Sequence, residues 1–283
     1  MRALGGGFFD DLGPEGKFGK LVERVRRDKD LDLEFRGDYI NIYYQGHSIL
    51  NLKENGNISI NKAFKENGFH KILENISDID HYLKLLPCIK DNVSCYTKRG
   101  DREIEFEQLL IRVTNRERGN NSEYIILDRQ YKLPGYKDRW DLIALKYPSG
   151  GRRKPHGCLS IIELKYGLNP DISGIKDQVE GYSRYLEANM EGICSDMEKV
   201  FEQKLKLSLI ERPPQRIKWF NRKDFHIVQD IESTEIVIYL CDYNPKSKLR
   251  KEIEIPSYRG KVRIVQGGLA LWGNSCTPGK SKA

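Results

Sequence analysis

Short apolar runs alternate with turn residues between residues 31 and 61. The runs read LDLEF, YINIYY, SILNL and ISI, and glycine or asparagine stands in each break between them. These residues supply the positive φ angles that tight hairpin turns require. The pattern therefore predicts an antiparallel meander, which serves either as a structural module or as a surface for a partner or for DNA.

The segment before this meander is rich in glycine. Residues 1–20 contain Phe8, Phe9 and Phe18 as their aromatic anchors. We predict a mobile arm here, with docking of the aromatic side chains on the rest of the protein as the alternative.

A helical pattern follows the meander. Ile79, Leu83 and Leu86 recur at helical spacing behind a predicted capping box that begins at Ser77. We expect Pro87 to end this helix, because proline lacks the N–H group that an interior helical position donates. Residues 88–101 then have the pattern of a connection, and we place a domain boundary near residue 97.

The next helix is predicted from Asp101 onwards. Its apolar positions are Phe106, Leu109, Leu110 and Val113, which form one stripe. Three acids, Glu103, Glu105 and Glu107, crowd its first half. They either complement the helix dipole or include one residue that reaches a functional site.

Helices and strands alternate through the remainder of the chain. The apolar runs are EYIILDRQY at 123–131, DRWDLIALKY at 138–147, CLSIIELKY at 158–166 and EIVIYLCDY at 235–243. Two helices are predicted between the last two runs, over residues 173–190 and from Ser195 to about Leu209. This order predicts an α/β fold with a mixed central sheet flanked by helices. The predicted segments are 1–97 (arm, meander and helix), 98–245 (the α/β domain) and 246–283 (an extension with a disordered tail).

Charged residues interrupt two of these apolar strands. Asp141 lies in RWDLIAL, and Glu163 and Lys165 close the run CLSIIELKY. Glu163 and Lys165 share one face of their strand because side chains two positions apart point the same way. Buried charges need partners, and a divalent metal held by Asp141 and Glu163 beside Lys165 would provide one. The alternative is a structural ion pair at the end of a sheet.

Composition favours a globular protein with an anionic partner. The 283 residues are 39% hydrophobic and 31% charged, with a net charge of +7. We find no apolar run of about 18 residues and no signal-peptide pattern, so we expect a cytoplasmic protein without a membrane partner. The six cysteines form no CxxC pair, which favours reduced structural thiols over a zinc site.

The order helix, strand, strand with Asp141, strand with Glu163-Leu164-Lys165, helix, strand resembles the PD-(D/E)xK nuclease superfamily. Gln178 and Tyr182 in the following helix are similar to the QxxxY element of its RecB-like branches. The residue before Asp141 is Trp140 and not the proline of the family name, and neither an iron–sulfur cysteine spacing nor a P-loop is present. The resemblance covers residues 101–243 and implies a restriction-endonuclease-like fold.

The resemblance also implies a site and an activity. Asp141, Glu163 and the backbone carbonyl of Leu164 would hold Mg²⁺, with Mn²⁺ able to substitute. Lys165 would assist the attacking water, Glu105 would be the helix acid, with Glu107 the next choice, and Gln178 would bind a water or a terminal phosphate. The predicted nucleic-acid contacts are Arg139, Tyr182 and the loop residues Arg152, Arg153 and Lys154. The alternatives are a core aromatic role for Tyr182, an ion pair with a nearby acid for Arg139, and a solvated hairpin tip for the loop.

The function expected from this resemblance is metal-dependent hydrolysis of DNA. Endonuclease or exonuclease action, an RNA substrate and a homodimer all stay open. The alternative of another class is a catalytically silent member of the fold that binds nucleic acid or a protein.

Overall fold

A computed structural model describes the chain outside residues 67, 73–75, 97–100, 118–121, 134, 136–138, 148–154, 168–171, 173, 243–247, 249–256, 267–275 and 279–283. The chain forms two compact units. The first contains residues 1–112 and 199–211, and the second contains residues 113–198 and 212–283. Each unit combines two separate stretches of the sequence, so the units do not coincide with the predicted segments 1–97, 98–245 and 246–283. The division into those three segments stays a prediction.

The amino-terminal segment of the first unit is helical and packed. It forms α1 (Gly6–Asp11) and α2 (Gly19–Arg27). Phe8 and Phe18 are buried and meet edge to face, with ring centroids 6.1 Å apart. The prediction of a mobile arm is therefore wrong, because the aromatic side chains dock as the alternative allowed.

The predicted meander is present in the first unit. Its strands are β1 (Leu31–Phe35), β2 (Tyr39–Tyr44), β3 (His47–Lys53) and β4 (Ile58–Ser59). They form an antiparallel sheet in sequence order, with an irregularity in register between Ile42 and Tyr43. The turn glycine Gly46 has a φ of 81°, and a Cβ there would lie 2.5 Å from the carbonyl oxygen of Ile104, so this position requires glycine.

The helices after the meander are α3 (Lys62–Lys65) and α4 (Ile79–Tyr96). Pro87 lies inside α4 and does not end it, contrary to the prediction. The helix continues because its buried stripe continues through Ile89 and Val93 beyond the proline. Asp78 caps its first turn by accepting a hydrogen bond from the His81 N–H at 2.8 Å.

Helix α5 (Arg102–Arg116) begins in the first unit and ends in the second. The predicted apolar stripe is buried only at Leu110, whereas Phe106, Leu109 and Val113 are half-buried. Two amides occupy buried positions because they satisfy backbone groups. Gln108 accepts from the Gly46 N–H at 2.7 Å, and Asn115 exchanges two hydrogen bonds with the backbone of Ile126 at 2.7 and 2.9 Å.

Within the described residues, the second unit contains a seven-stranded mixed sheet. Its strands are β5 (Tyr124–Lys132), β6 (Arg139–Lys146), β7 (His156–Tyr166), β8 (His226–Ile227), β9 (Glu235–Cys241), β10 (Lys261–Gln266) and β11 (Cys276–Pro278). The order is β11-β10-β9-β7-β6-β5, with β8 beside β7. Strands β5, β6 and β7 are antiparallel, whereas β7, β9 and β10 run parallel. The chain is therefore mixed α/β, as the pattern predicted.

One long helix connects β7 to β9 where two were predicted. Helix α6 (Ile175–Lys206) has 32 residues and runs through both predicted helices, and α7 (Pro214–Phe220) follows it. Ser195 suggested the start of a second helix, but Ile193, Cys194 and Met197 are buried and carry the apolar stripe across this position. Among the helices of the described residues, none has the length and apolar character needed to cross a membrane.

Candidate metal-binding site at the β6–β7 sheet end

Antiparallel pairing of β6 and β7 brings Asp141 and Glu163 together. The register pairs Leu142 with Ile162, so one further step places Asp141 opposite Glu163. The Asp141 carboxylate accepts a hydrogen bond from the Leu164 N–H at 2.9 Å. Asp141 and Glu163 are 22 residues apart in sequence, and the register of the β6–β7 pair brings them side by side.

Both oxygens of the Glu163 carboxylate have protein donors. Lys165 Nζ donates to Oε1 at 2.6 Å, and the Tyr182 hydroxyl donates to Oε2 at 2.7 Å. Glu163 is 3% exposed, so these donors lie in an environment where charge-assisted hydrogen bonds are strong. The ammonium of Lys165 is more accessible, with 19% of its side chain exposed.

The formal charges of the site favour a cation. Asp141 and Glu163 contribute two negative charges and Lys165 one positive charge, so these three side chains together carry a net charge of −1 when ionised. Buried charge is costly without compensation, and the ends of β6 and β7 lie in an apolar sheet. A bound cation would therefore be stabilised by this set of side chains.

An aromatic cluster supports the site. Trp140 is fully buried, stacks on Tyr131 at 5.4 Å between centroids, and meets Tyr182 and Tyr185 edge to face at 6.2 and 5.7 Å. The Tyr182 hydroxyl also lies 3.2 Å from the Arg139 carbonyl oxygen. A supporting role for Trp140 was not predicted from the sequence. The signal for its role was the spacing of Tyr182 and Tyr185, which puts both on one side of a helix.

The other predicted site residues differ in how deeply they are buried. Leu164 is buried in β7, Arg139 is exposed at the start of β6, and Gln178 is half-buried one helical turn before Tyr182. Tyr182 is 1% exposed, so its ring supports the site from within instead of presenting a surface to nucleic acid. Arg152, Arg153 and Lys154 lie outside the described residues.

Glu105 belongs to the first unit, on α5. It lines a cavity of about 310 Å³ together with Asp30, Tyr44 and Gln45 of that unit. Glu103 and Glu105 are half-buried and Glu107 is 1% exposed. The choice of helix acid among these three stays a prediction.

A second buried carboxylate in the same unit was missed by the sequence analysis. Glu235, at the start of β9, is 2% exposed. It accepts hydrogen bonds from the Tyr124 hydroxyl at 2.5 Å and the Ser160 hydroxyl at 3.2 Å, and it pairs with Lys146 at 2.8 Å and Arg263 at 3.0 Å. Four donors from β5, β6, β7 and β10 surround this carboxylate, so it joins strands of the sheet.

The cysteines offer little nucleophilic chemistry. Five of them lie in the described part of the chain, and all five are free thiols. Burial raises the pKa of the Cys158 thiol and raises that of Cys194 to about 12. Because the thiolate is the reactive form, these two side chains behave as structural thiols at neutral pH.

Asp141, Glu163 and the Leu164 carbonyl offer oxygen donors, which are the ligands that a magnesium ion prefers. Mg²⁺ prefers oxygen ligands and commonly uses one or two carboxylates, with water and substrate phosphate completing the octahedron. Each engaged carboxylate oxygen keeps a second lone pair, so a hydrogen bond and a metal bond are compatible. Groups of three or more His, Cys, Asp or Glu side chains suited to a metal are absent from the described residues. Two carboxylates are nevertheless a sufficient protein contribution for Mg²⁺.

Comparison of this chain with protein-family models, with curated proteins and with solved structures finds no match.

Proposed function

We propose that this protein is a metal-dependent nuclease that hydrolyses phosphodiester bonds in DNA. The observation that carries the proposal is the meeting of Asp141, Glu163 and Lys165 at one end of the β6–β7 pair. The order α5, β5, β6, β7, α6, β9 supports it, because this is the order on which the resemblance to the PD-(D/E)xK superfamily rests. A restriction-endonuclease-like fold is part of the same proposal.

The side chains have distinct roles in this proposal. Asp141 and Glu163 would hold the metal through their carboxylate oxygens, and the Leu164 carbonyl would be the third protein ligand. When bound there, Mg²⁺ supplies charge neutralisation at the phosphate and lowers the pKa of a bound water. Lys165, whose ammonium lies 2.6 Å from Glu163, would assist the attacking water and neutralise the negative charge that develops on the phosphate. Tyr182 fixes the orientation of the Glu163 carboxylate.

The choice of DNA as substrate is supported by the net charge of +7 and by the resemblance. RNA is the competing substrate, and the same cluster of side chains could act on it. A cytoplasmic location and a homodimer are also part of the proposal.

The decisive experiment replaces each carboxylate by its amide. Asp141→Asn and Glu163→Gln keep the size of the side chain and remove one ligand charge. We expect each to abolish Mg²⁺- or Mn²⁺-dependent cleavage of plasmid, linear duplex and single-stranded DNA, and to weaken Mn²⁺ binding measured by calorimetry. Glu232→Gln is the matched control, because the Glu232 side chain is 68% exposed and lies on a different segment.

Two results would contradict the nuclease proposal. One is the absence of cleavage by the unmodified protein on every DNA and RNA substrate with either metal. The other is an Mn²⁺ affinity that is the same in Asp141→Asn and Glu163→Gln as in the control Glu232→Gln.

A catalytically silent member of the same fold is the second candidate. The observation in its favour is the direct Lys165–Glu163 pair at 2.6 Å, which satisfies the buried carboxylate without any metal. In that case the protein would bind nucleic acid without cutting it, and Mg²⁺ would not raise its melting temperature. A metal site instead predicts stabilisation that grows with the concentration of Mg²⁺ and is lost in Glu163→Gln.

A further inference from the structure

A cation-rich groove lies in the first unit, beside α2. It has a volume of about 690 Å³. Its cationic lining residues are Lys20, Arg24, Arg27, Lys29 and Arg112. Three acids, Glu23, Asp28 and Asp30, also line it, so the lining carries an excess of positive charge. We call this feature the α2 groove.

The sequence of α2 builds one wall of this groove. Leu21, Val22 and Val25 are buried, which turns the opposite face of the amphipathic helix outward. Lys20 and Arg27 lie on that outward face about two turns apart, a separation of about 10 Å along the helix axis. Cations are thus spread along the groove and not gathered at a single point.

The innermost acid of the groove is already neutralised. Arg24 lies 3.0 Å from the Asp28 carboxylate and Lys90 lies 3.1 Å from it. Burial opposes ionisation of Asp28, but the hydrogen bonds and charges of Lys90 and Arg24 outweigh it and hold its pKa below the usual value. Asp28 therefore pairs with Arg24 of the wall and with Lys90, and it contributes little free negative charge to the opening.

The cations at the rim have exposed partners. Lys20 pairs with Asp80 at 3.0 Å, with 71% and 61% of the two side chains exposed. Arg27 pairs with Glu23, and Arg112 pairs with Asp30. Exposed ion pairs of this kind contribute little to stability, so an arriving phosphate can replace the carboxylate at small cost.

We propose that the α2 groove binds the sugar-phosphate backbone of a nucleic acid. This inference rests on the proposed nuclease function and extends it by giving the first unit a substrate-binding role. One strand of duplex DNA presents a phosphate about every 3.4 Å along the helix axis, so a wall about 10 Å long faces about three phosphates. Lys20 and Arg27 stand on this wall and Arg112 lines the same groove, so three rim cations are available for about three phosphates.

The test removes three rim cations together in Lys20→Ala, Arg27→Ala and Arg112→Ala. The control triple variant is Lys53→Ala, Lys62→Ala and Lys71→Ala, which makes the same change in net charge at exposed lysines of the same unit outside the groove. Binding of fluorescent duplex and single-stranded DNA is measured in EDTA, which prevents cleavage, between about 50 and 200 mM salt.

The slope of the logarithm of the binding constant against the logarithm of the salt concentration reports the number of phosphates contacted. We expect the groove variant to reduce the magnitude of this slope by about 2.7 for duplex DNA and by about 2.1 for single strands, which corresponds to the loss of three phosphate contacts. Its Kd should rise about tenfold or more at the lower salt concentration, while the control shifts much less. If the triple variant does not fold, Arg27→Ala alone should lower the duplex slope by about 0.9, since this side chain is 77% exposed and dispensable for packing.

Equal losses in the groove and control variants would overturn the inference, because they would reflect net charge alone. Binding of anionic lipid vesicles that depends on the groove, with no effect on DNA binding, would overturn it as well. This outcome is separate from failure of the nuclease proposal, which is judged by cleavage and Mn²⁺ binding in Asp141→Asn and Glu163→Gln.

Discussion

At the scale of single residues, the candidate site depends on how one carboxylate is held. Glu163 is fixed by Lys165 on its own strand and by Tyr182 on α6. The first contact follows from the two-residue spacing and was foreseeable from the sequence. The second depends on the rotation of a tyrosine side chain on a distant helix, which no local pattern encodes. Groups that orient metal ligands typically change metal affinity or activity by about 10–100-fold when removed.

Tyr182→Phe is expected to reduce metal-dependent cleavage by about 10–100-fold with a parallel loss of Mn²⁺ affinity. The phenyl ring keeps the edge-to-face contact with Trp140, so the variant removes mainly the hydroxyl donor to Glu163. Calorimetric Mn²⁺ titration and cleavage rates measure the effect. Tyr185→Phe is the control, because Tyr185 contacts the same indole ring; an equal loss in both variants would show that the hydroxyl–Glu163 bond is not the cause.

The lowered pKa of Asp28 gives a second prediction at this scale. Because its folded-state pKa lies below the unfolded value, Asp28 stabilises the fold above the unfolded pKa, about 3.9, and that contribution is lost as pH falls through the folded pKa. Asp28→Asn should therefore flatten the acid side of the stability curve. Urea unfolding measured from neutral pH into the acid range tests this, with the exposed Asp10→Asn as control. If the free energy of unfolding of Asp28→Asn falls with decreasing pH as steeply as that of the unmodified protein, the lowered pKa of Asp28 is contradicted.

At the scale of whole elements, strands were easier to predict than helix limits. The meander and the strands β5, β6, β7 and β9 follow from apolar runs bounded by turn residues, and the structure confirms them. The helix limits were wrong where one local signal competed with a longer pattern. Pro87 suggested an end to α4, and Ser195 suggested a new start within α6, yet buried side chains continue through both positions. Tertiary burial decided in each case, and sequence alone does not reveal which residues will be covered.

Pro87 leaves α4 with a local defect that can be removed. Proline cannot donate to the carbonyl of Leu83, and it is disfavoured in helix interiors by about 3 kcal/mol. Since Pro87 is exposed, Pro87→Ala should fit without a clash. Proline also restricts the unfolded chain, and removing it makes the unfolded state more favourable in entropy. This effect offsets part of the gain, so we expect Pro87→Ala to stabilise the protein by about 2 kcal/mol.

Urea denaturation measures this stabilisation, and Lys84→Ala, at another exposed position of α4, is the control. A destabilised Pro87→Ala variant would mean that the bend imposed by proline is required for the packing of α4.

At the scale of the whole molecule, charge is both spread over the surface and built into the core. The net charge of +7 that indicated an anionic partner is a property of the whole sequence. Buried charges behave differently and could not be inferred from composition. Glu34 occupies an alternating polar position of β1, where the pattern predicts exposure, yet it is 1% exposed because Lys204 of α6 pairs with it at 2.8 Å. The partner is 170 residues away in sequence, so no short-range signal identifies it.

This pair gives a prediction about the first unit, to which both residues belong. Glu34→Gln leaves the Lys204 ammonium buried without its carboxylate, and breaking a buried pair in this way costs about 3–5 kcal/mol. Hydrogen exchange should show the resulting loss of protection in β1 and its neighbours in the meander.

The paired replacement Glu34→Leu with Lys204→Met removes both charges and should be near neutral or even stabilising by about 1–4 kcal/mol. If the double variant is as unstable as Glu34→Gln, the pair itself contributes net stability. If it recovers, the cost of Glu34→Gln comes from an unpaired charge and the ion pair is replaceable by apolar packing.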